Sequence, residues 1–229
     1  DKKKATISSN NIDSTDPKEY LEKGSAMVKS MPIDEYSGLA DKEDYACEIE
    51  DLELEDTTQL SEKQLLDQAL LAEDAMLKNK KITNSEGATR SFSKNTYNII
   101  NSKGFNAKYT KTFHSISSIA IAGSDTNMQR DYEYSAATHA SDLLLAEEVG
   151  FLAAKRAASR LNSKKIKSCT LDVIFEPRVA KSILSSFCSC AWGTSVARGT
   201  SFLNNKLNTS IFKKKINITN NPKLKRGIG

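Results

Sequence analysis

Apolar and polar residues recur with helical periodicity in the first third of the chain, where two helix-start signals are present. Asp16 and Pro17 open a helix that Pro32 ends, and Ser61 with Gln64 forms a capping box at the start of a second helix. The second helix is predicted to reach about residue 78. Its apolar side chains are expected on one face: Leu65, Leu66, Ala69, Leu70, Met76 and Leu77.

Between residues 82 and 135 the periodicity changes, and apolar and polar residues alternate as they do in β-strands. Short runs rich in β-branched and aromatic residues are separated by Gly, Asn, Ser or Asp, at 82–83, 89–93, 97–100, 104–109, 115–121 and 131–134. Their spacing predicts an antiparallel meander with one buried and one solvated face. A further helix is predicted over 143–161, where apolar residues recur three and four positions apart.

The last part of the chain begins with an apolar run at 172–175, expected as a buried strand, followed by a helix over 178–190. We therefore predict an α+β fold, in which N-terminal helices combine with an antiparallel sheet and the start of a second, mostly-β domain follows. The expected division is into residues 1–33, 34–167 and 168–229.

Charge is distributed unevenly, although the net charge is only +4. Residues 34–74 contain fifteen Asp or Glu and two Lys, whereas 200–229 contain seven Lys or Arg and no acidic residue. The acidic stretch is either a solvated linker with an exposed helix face or a docking surface for a basic partner or for the basic tail. The tail is a solvated strand edge or a contact for an acidic surface. Nucleic acid is its least favoured partner, because only Phe202 and Phe212 interleave the basic residues.

Residue types that could carry chemistry are scattered along the chain. His114 and His139 have neither a second histidine nor a carboxylate at ligand spacing, so structural, hydrogen-bonded roles are expected for both. Asp131 and Glu133 alternate along a strand and share a face, yet two acids alone do not make a glycosidase site. Serines in the 178–190 helix are expected to bond to their own backbone. The cysteines lack zinc-ribbon spacing and are expected to be reduced: Cys47, Cys169, Cys188 and Cys190.

Several segments form an ordered set that spans nearly the whole chain: YSGLADKE at 36–43, KITNSEG at 81–87, HSISS at 114–118, MQRDYEY at 128–134, VIFEPRVAKS from residue 173, and TSFL at 200–203. This set resembles the TldD/PmbA family, once labelled modulators of DNA gyrase, in its PmbA (TldE) branch. The order of the segments, rather than any one of them, makes the resemblance specific.

The resemblance implies a two-subunit metallopeptidase, in which the TldD-type subunit carries zinc through a His-Glu-x-x-x-His helix. The corresponding positions in this chain are Leu184, Ser185 and Ser189, which offer neither histidine nor carboxylate. No metal ligand, catalytic residue or cofactor is therefore expected in this chain, and zinc is expected in the partner subunit.

The Gly/Ser/Thr-rich stretch after this helix is expected to lie near the interior of the assembled particle. It lacks the Gly-Lys-Ser/Thr of a phosphate loop. Arg198, Thr200 and Ser201 are the expected contacts to substrate or partner, with Arg198 able to orient a peptide carboxylate. A plain structural ion pair is the alternative for Arg198.

By resemblance, the chain is a PmbA/TldE-type subunit of a cytosolic TldD/TldE metallopeptidase complex that acts on flexible peptides. A TldD-type subunit is the expected partner, with a homodimer as the alternative. No signal peptide or membrane span is recognisable, so a cytoplasmic location is expected. The family pattern extends past both ends, so 1–33 is expected to end an N-terminal α/β domain and 168–229 to begin the C-terminal metallopeptidase-like domain.

Two rival functions stay open on the sequence. The first is a stand-alone module that binds nucleic acid or gyrase, suggested by the basic tail and the old family label. The second is an active peptidase whose metal ligands lie beyond residue 229.

Overall fold

A computed structural model describes residues 2–11, 16–46, 50–213 and 215–228. Its strands are β1 (Ile82–Ile100), β2 (Asn106–Ala122) and β3 (Gln129–Ala137). Its α-helices are α1 (Pro17–Ser30), α2 (Glu62–Leu77), α3 (Ala146–Ser159), α4 (Pro177–Ala191) and the short α5 (Gly193–Ala197). Single 3₁₀ turns lie at Lys42–Asp44, Asp125–Asn127 and Ala140–Asp142.

The three strands form an antiparallel sheet in the order β1-β2-β3, so the predicted meander is confirmed. Ile100 lies opposite Asn106 at the first hairpin, and Ala122 lies opposite Gln129 at the second. The six short runs are in fact parts of three long strands, because most of the Gly, Asn and Ser separators lie within a strand. Gly87, with φ of 101°, marks a shift of register in β1 rather than a turn.

The sheet is wider at one end than at the other. β3 pairs with residues 114–122 of β2, so the earlier part of β2 pairs only with β1 and the β1–β2 hairpin extends past β3. Helices α2 and α3 pack against one face of the sheet. The opposite face carries Tyr132 and Tyr134, which are 41% and 45% exposed.

The core lies between this sheet and the two helices, and it consists largely of small side chains. Its buried members are Ala72, Met76, Ile82, Ile116, Ala120, Ala122, Ala146, Val149, Ala153, Ala154 and Ala157. Alanine and glycine allow α3 to lie directly against α2. At the crossing, a Cβ atom built on Gly150 would stand only 1.9 Å from the carbonyl oxygen of Ala72.

The predicted apolar face of α2 is partly wrong. The Ser61–Gln64 capping box forms as expected, but Leu66, Leu70 and Leu77 are exposed. Helix α2 buries Met76, as predicted, together with Ala72. Its contact with α3 is made through small side chains, and this rotates the larger leucines away from the core.

Helix α1 begins and ends where the sequence predicts. The Asp16 side chain accepts a hydrogen bond from the Lys18 amide at 2.9 Å, and Pro17 occupies the first turn. The helix buries none of its residues. It contacts the extended N-terminal segment, where the Ile7 side chain approaches Gly24.

The buried strand predicted at 172–175 is wrong. No strand is assigned there, and Val173 and Ile174 are 63% and 97% exposed. A strand requires backbone partners on a neighbouring strand, and none of β1, β2 or β3 pairs with this run. The helix that follows forms as predicted. The described residues after α4 contain α5 and turns but no strand, where we expected the start of a mostly-β domain.

The α+β class is confirmed by the packing of helices on an antiparallel sheet. No helix among the described residues is long and apolar enough to cross a membrane. Cys169, Cys188 and Cys190 are free thiols, and Cys47 lies outside the described residues.

Candidate functional site

Helix α4 carries the positions at which the family resemblance places a metal-binding helix. Leu184, Ser185 and Ser189 are exposed on it. The Ser189 hydroxyl donates to the Ser185 carbonyl at 3.0 Å, and the Ser186 hydroxyl donates to the Ser182 carbonyl at the same distance. These serines are bonded to their own helix, as expected for hydroxyls on a helix face, and no base among the described residues is hydrogen-bonded to them.

The loop after α5 holds the other predicted site residues. Gly199 follows α5 with φ of 69°, a conformation that glycine adopts without strain. The buried Ser201 donates to the Cys190 carbonyl at 2.6 Å, which attaches the loop to the end of α4. Thr200 is exposed, and its hydroxyl donates to the Ser195 carbonyl at 3.1 Å.

Arg198 is exposed at the end of α5. Among the described residues it makes no ion pair, although ion pairs form around many other arginines. Its side chain is therefore open to solvent. A role in binding substrate or partner stays a prediction for Arg198, Thr200 and Ser201.

Asp131 and Glu133 share the helix-covered face of β3, as the alternation predicts, but they are engaged in ion pairs. Asp131 contacts Arg160 at 3.0 Å and Arg178 at 3.1 Å, and Glu133 contacts Arg156 at 2.8 Å. Burial raises the pKa of Asp131, but the hydrogen bonds from Arg178 and the others that it accepts hold the pKa below its ordinary value. These carboxylates hold α3 and the start of α4 against the sheet and are not a catalytic pair.

Both histidines have the structural, polar contacts expected from the sequence, but the fold brings them to the same carboxylate. His114 is fully buried, and its Nε2 lies 3.2 Å from Oδ2 of Asp56. Nδ1 of His139 lies 4.0 Å from the other carboxylate oxygen. Arg90 donates toward Nδ1 of His114 at 3.3 Å, and the amide of Asp56 donates to the Thr112 hydroxyl at 2.7 Å. These residues are called the imidazole cluster below: Asp56, Arg90, Thr112, His114 and His139.

Sequence spacing could not reveal the imidazole cluster. The β2–β3 pairing places His114 opposite Ala137, and this brings the loop that carries His139 beside it. Asp56 arrives from a segment without regular secondary structure, far away in the sequence. The register of the β2–β3 hairpin is the one sequence-related feature that would have predicted this proximity. It can be used only when the pairing of the two strands is already known.

The Asp56 carboxylate is the electrostatic centre of the cluster. Burial alone raises its pKa, but the amides of Ala140 and Thr58 each donate to it at 2.8 Å, and His114 lies close by. These interactions outweigh burial and bring the pKa of Asp56 to about 2. Asp56 is therefore ionised at neutral pH and serves as a buried acceptor.

Neither candidate position fits a zinc ion. In α4, Leu184 supplies no ligand atom, and serine hydroxyls are not the His, Cys or carboxylate donors that zinc prefers. In the imidazole cluster, a guanidinium cation faces His114 and both carboxylate oxygens already accept backbone amides. The described residues contain no group of three or more His, Cys, Asp or Glu placed to hold a metal ion.

The basic end of the chain docks on the acidic stretch, one of the alternatives that the charge pattern left open. Lys223 pairs with Glu50 at 2.6 Å, and Glu53 pairs with Lys225 at 2.6 Å and with Arg226 at 3.2 Å. The contact is also made through the backbone, because the Arg226 amide donates to the Leu52 carbonyl at 2.8 Å. Residues 50–56 are called the acidic segment below, and residues 222–228 the tail segment.

Comparison with known proteins agrees with the resemblance. Residues 49–164 match the PmbA/TldA metallopeptidase central domain, and residues 168–229 match the PmbA/TldA metallopeptidase C-terminal domain. The metalloprotease PmbA of Escherichia coli O157:H7 is 34% identical over 196 residues, which cover 85% of this chain and 44% of that protein. A PmbA homologue of Buchnera aphidicola from Acyrthosiphon pisum is 32% identical over 228 residues, covering 99% of this chain and 51% of the homologue.

Solved structures show the same similarity. A Bacteroides thetaiotaomicron protein named a modulator of DNA gyrase superposes with a TM-score of 0.86 at 25% identity, over 99% of this chain and 52% of its own. A Thermotoga maritima protein with a similar name matches the fold of 68% of this chain and 35% of its own, with a TM-score of 0.53 at 23% identity. The chain spans about half the length of the relatives that it matches. The chain belongs to the PmbA/TldD metallopeptidase family.

Proposed function

We propose that this chain is a PmbA/TldE-type, non-catalytic subunit of a cytoplasmic TldD/TldE metallopeptidase complex that acts on flexible peptides. A TldD-type partner supplies the zinc. This chain supplies part of the wall of the substrate cavity, contacts to the substrate, and stability to the assembly.

The observation that carries the proposal is the composition of α4. Its residues, PRVAKSILSSFCSCA, include no histidine, aspartate or glutamate, and its cysteines, Cys188 and Cys190, belong to no group of potential metal ligands among the described residues. A catalytic zinc site requires such ligands and leaves one position for water. A metallopeptidase-family chain that lacks them on this helix needs a partner for the chemistry.

The exposed surface supports an assembly. The accessible surface is 18077 Å², whereas a compact chain of this mass exposes about 10,000 Å². Large apolar side chains contribute to the excess, including Ile183 and Leu184 of α4, which are 49% and 45% exposed. Such a surface is stable when further polypeptide covers it. A TldD-type subunit is the proposed cover, and a second copy of this chain is the alternative.

The structure gives little support to a nucleic-acid-binding module. The cations of the tail segment that would meet a phosphate backbone are paired with Glu50, Glu53 and Asp142 of the same chain. A nucleic acid would have to displace these acids first, and its binding would fall steeply with salt.

We expect the intact protein to cleave no peptide alone and to support chelator-sensitive cleavage of an unstructured peptide when mixed with its TldD-type partner. The measurement is peptide cleavage by each protein alone and by the mixture, with bound zinc determined for each purified protein. The proposal also requires that this protein bind no stoichiometric zinc.

Each other result has a defined meaning. Activity of this protein alone would contradict the proposal and direct the search for zinc ligands beyond residue 229. Equal activity of the partner alone and of the mixture would remove the need for this subunit. Inactivity in all three samples, together with salt-dependent DNA binding, would favour the binding module.

The unpaired guanidinium of Arg198 gives a sharper test of substrate contact. If it binds a peptide carboxylate, Arg198→Ala removes a charge-assisted hydrogen bond of about 1.5–3 kcal/mol, so KM in the mixture should rise at least about tenfold. Lys206→Ala, which removes another exposed cation from the same loop, is the matched control and should leave KM unchanged. Equal KM values for the two variants would show that Arg198 does not contact the substrate.

A further inference from the structure

The imidazole cluster contains a fully buried histidine that faces charged groups from three parts of the chain. Arg90 of β1 lies at Nδ1 of His114, and Asp56 of the acidic segment lies at Nε2. His139, in the loop after β3, is the other titratable neighbour and lies beyond Asp56. From α2, the neutral Gln68 accepts a hydrogen bond from Arg90 at 2.8 Å.

The contacts of His114 define its tautomer. Arginine only donates hydrogen bonds, so Nδ1 must accept from Arg90 and the ring proton must be on Nε2. Nε2 lies 3.2 Å from Asp56 but makes no well-aligned hydrogen bond with any described residue. The neutral ring therefore satisfies Arg90, and a second proton on the ring would remove that acceptor.

The electrostatics disfavour protonation in place. Burial, and then the positive charge of Arg90, lower the pKa of His114 below its ordinary value of 6.5, and the attraction of Asp56 only partly opposes them. In the closed cluster, protonation of His114 is therefore less favourable than it is for a histidine in water.

The group that covers His114 is the acidic segment. It has no regular secondary structure, and three hydrogen bonds with Thr112 fix it to β2. The Thr112 amide and hydroxyl donate to the Leu54 carbonyl at 3.0 and 3.2 Å, and the Asp56 amide donates to the Thr112 hydroxyl. A cavity of about 350 Å³ opens beside Asp56, between this segment and Phe92. The segment is thus fixed by polar contacts from β2 and from the loop after β3, and Leu52 and Leu54 are only half-buried.

The tail segment is attached to the same cover. His139 donates from Nε2 to the Glu53 carbonyl at 2.8 Å, and the Glu53 side chain holds Lys225 and Arg226. Thr138, next to His139, donates its hydroxyl to the Arg226 carbonyl at 2.8 Å. The imidazole cluster, the acidic segment and the tail segment form one continuous set of contacts.

We propose that this set is a pH-responsive latch, in which protonation of His114 lifts the acidic segment from the sheet and releases the docked tail segment. In the closed state the buried ring excludes the proton. In the open state the ring meets water and accepts it, so acidification favours opening.

The sign and the pH range follow from linkage. Because the pKa of His114 is lower in the closed state, its protonation does not affect the latch above about pH 6.5 and favours the open state progressively below that value. The open population should rise by up to about tenfold for each pH unit until the closed-state pKa is reached. Asp56 acts in a separate range, because its pKa is lowered from 3.8 to about 2.

The test is an NMR titration of the ¹⁵N-labelled intact protein from pH 7.5 to pH 5 at constant ionic strength, which keeps the screening of the exposed ion pairs fixed. We expect the amides of the acidic and tail segments to change together, with the released population rising by up to about tenfold per pH unit below 6.5. A wild-type protein whose tail amides show no transition in this range would overturn the proposal.

Two variants identify the titrating group. His114→Gln keeps a donor and an acceptor but cannot be protonated, so its tail segment should stay docked throughout the titration. His139→Gln is the matched control and should retain the transition. If the transition persists in His114→Gln and disappears in His139→Gln, the titrating group is His139, and the proposal is refuted.

A direct measurement serves if His114→Gln does not fold. The ring nitrogens of His114 in the wild-type protein should show the neutral form with its proton on Nε2 at pH 7, and they should become cationic only as the tail amides change. An imidazolium at His114 while the tail segment is still docked would contradict the latch.

Discussion

Replacing Gly150 with alanine is expected to destabilise the protein by about 3 kcal/mol or more, the usual upper range for overpacking a close contact. The added Cβ would lie 1.9 Å from the Ala72 carbonyl oxygen and 3.0 Å from the Met76 amide nitrogen. Both are backbone atoms of α2, so no side chain can rotate to make room. Alanine is the better helix former by about 0.5–1 kcal/mol, and steric overlap therefore decides the sign.

The measurement is thermal or urea unfolding of both proteins. A loss of this size should lower Tm by about 6–12 °C for a chain of this length. Gly24→Ala is the matched control, because it makes the same change within α1, where the new Cβ would meet only the Ile7 side chain at 3.5 Å. The control should not lose stability. If Gly150→Ala were equally stable, α2 and α3 could not cross as closely as described.

Replacing Asp56 with alanine is expected to cost about 3 kcal/mol at neutral pH. The amides of Ala140 and Thr58 would both lose a charged acceptor in a buried site, and each unsatisfied buried donor costs about 1–3 kcal/mol. His114 would also lose its only neighbouring anion in the imidazole cluster. Urea unfolding at pH 7 measures the loss.

The pH dependence of Asp56→Ala identifies the cause. In the wild-type protein the pKa of Asp56 falls from 3.8 to about 2 on folding, so its contribution is complete above about pH 4 and is lost as the pH falls toward 2. The variant should lack this acid-side loss. Asp51→Ala is the control, because its exposed carboxylate accepts one hydrogen bond from the described part of the chain, from the nearby Glu53 amide at 2.8 Å. Similar stability of the two variants would show that Asp56 is not a structural centre.

Helix boundaries were predictable because their signals act over a few residues. Asp16 caps α1, and Ser61 with Gln64 caps α2, as the sequence indicates. The meander was predictable from strand-like runs separated by turn residues. The alternation along Ser115–Ile121 was only a partial guide, because Ile116 and Ala120 are buried whereas Ile119 and Ile121 lie on the opposite, half-buried face. Strand lengths were not predictable, because Gly87 and the Asn and Ser residues of β1 can lie within a paired strand as well as in a turn.

Prediction failed where the outcome depends on a remote partner. The run at 172–175 has the composition of a strand, but no described strand pairs with it. Leu66 and Leu70 look like core residues, but the crossing at Gly150 turns the opposite side of α2 inward. In both cases local composition was compatible with more than one environment, and contacts from elsewhere in the chain selected the one observed.

The sequence by itself determined the α+β class, the positions of the four longest helices, the family, and the lack of His, Asp and Glu in α4, because each depends on residue types or short spacings. Only the tertiary structure decided that His114 and His139 gather around Asp56, and that the basic tail segment docks on the acidic segment of its own chain. Residues distant in sequence share one environment there, because strand register and buried hydrogen bonds set their distances and sequence spacing does not.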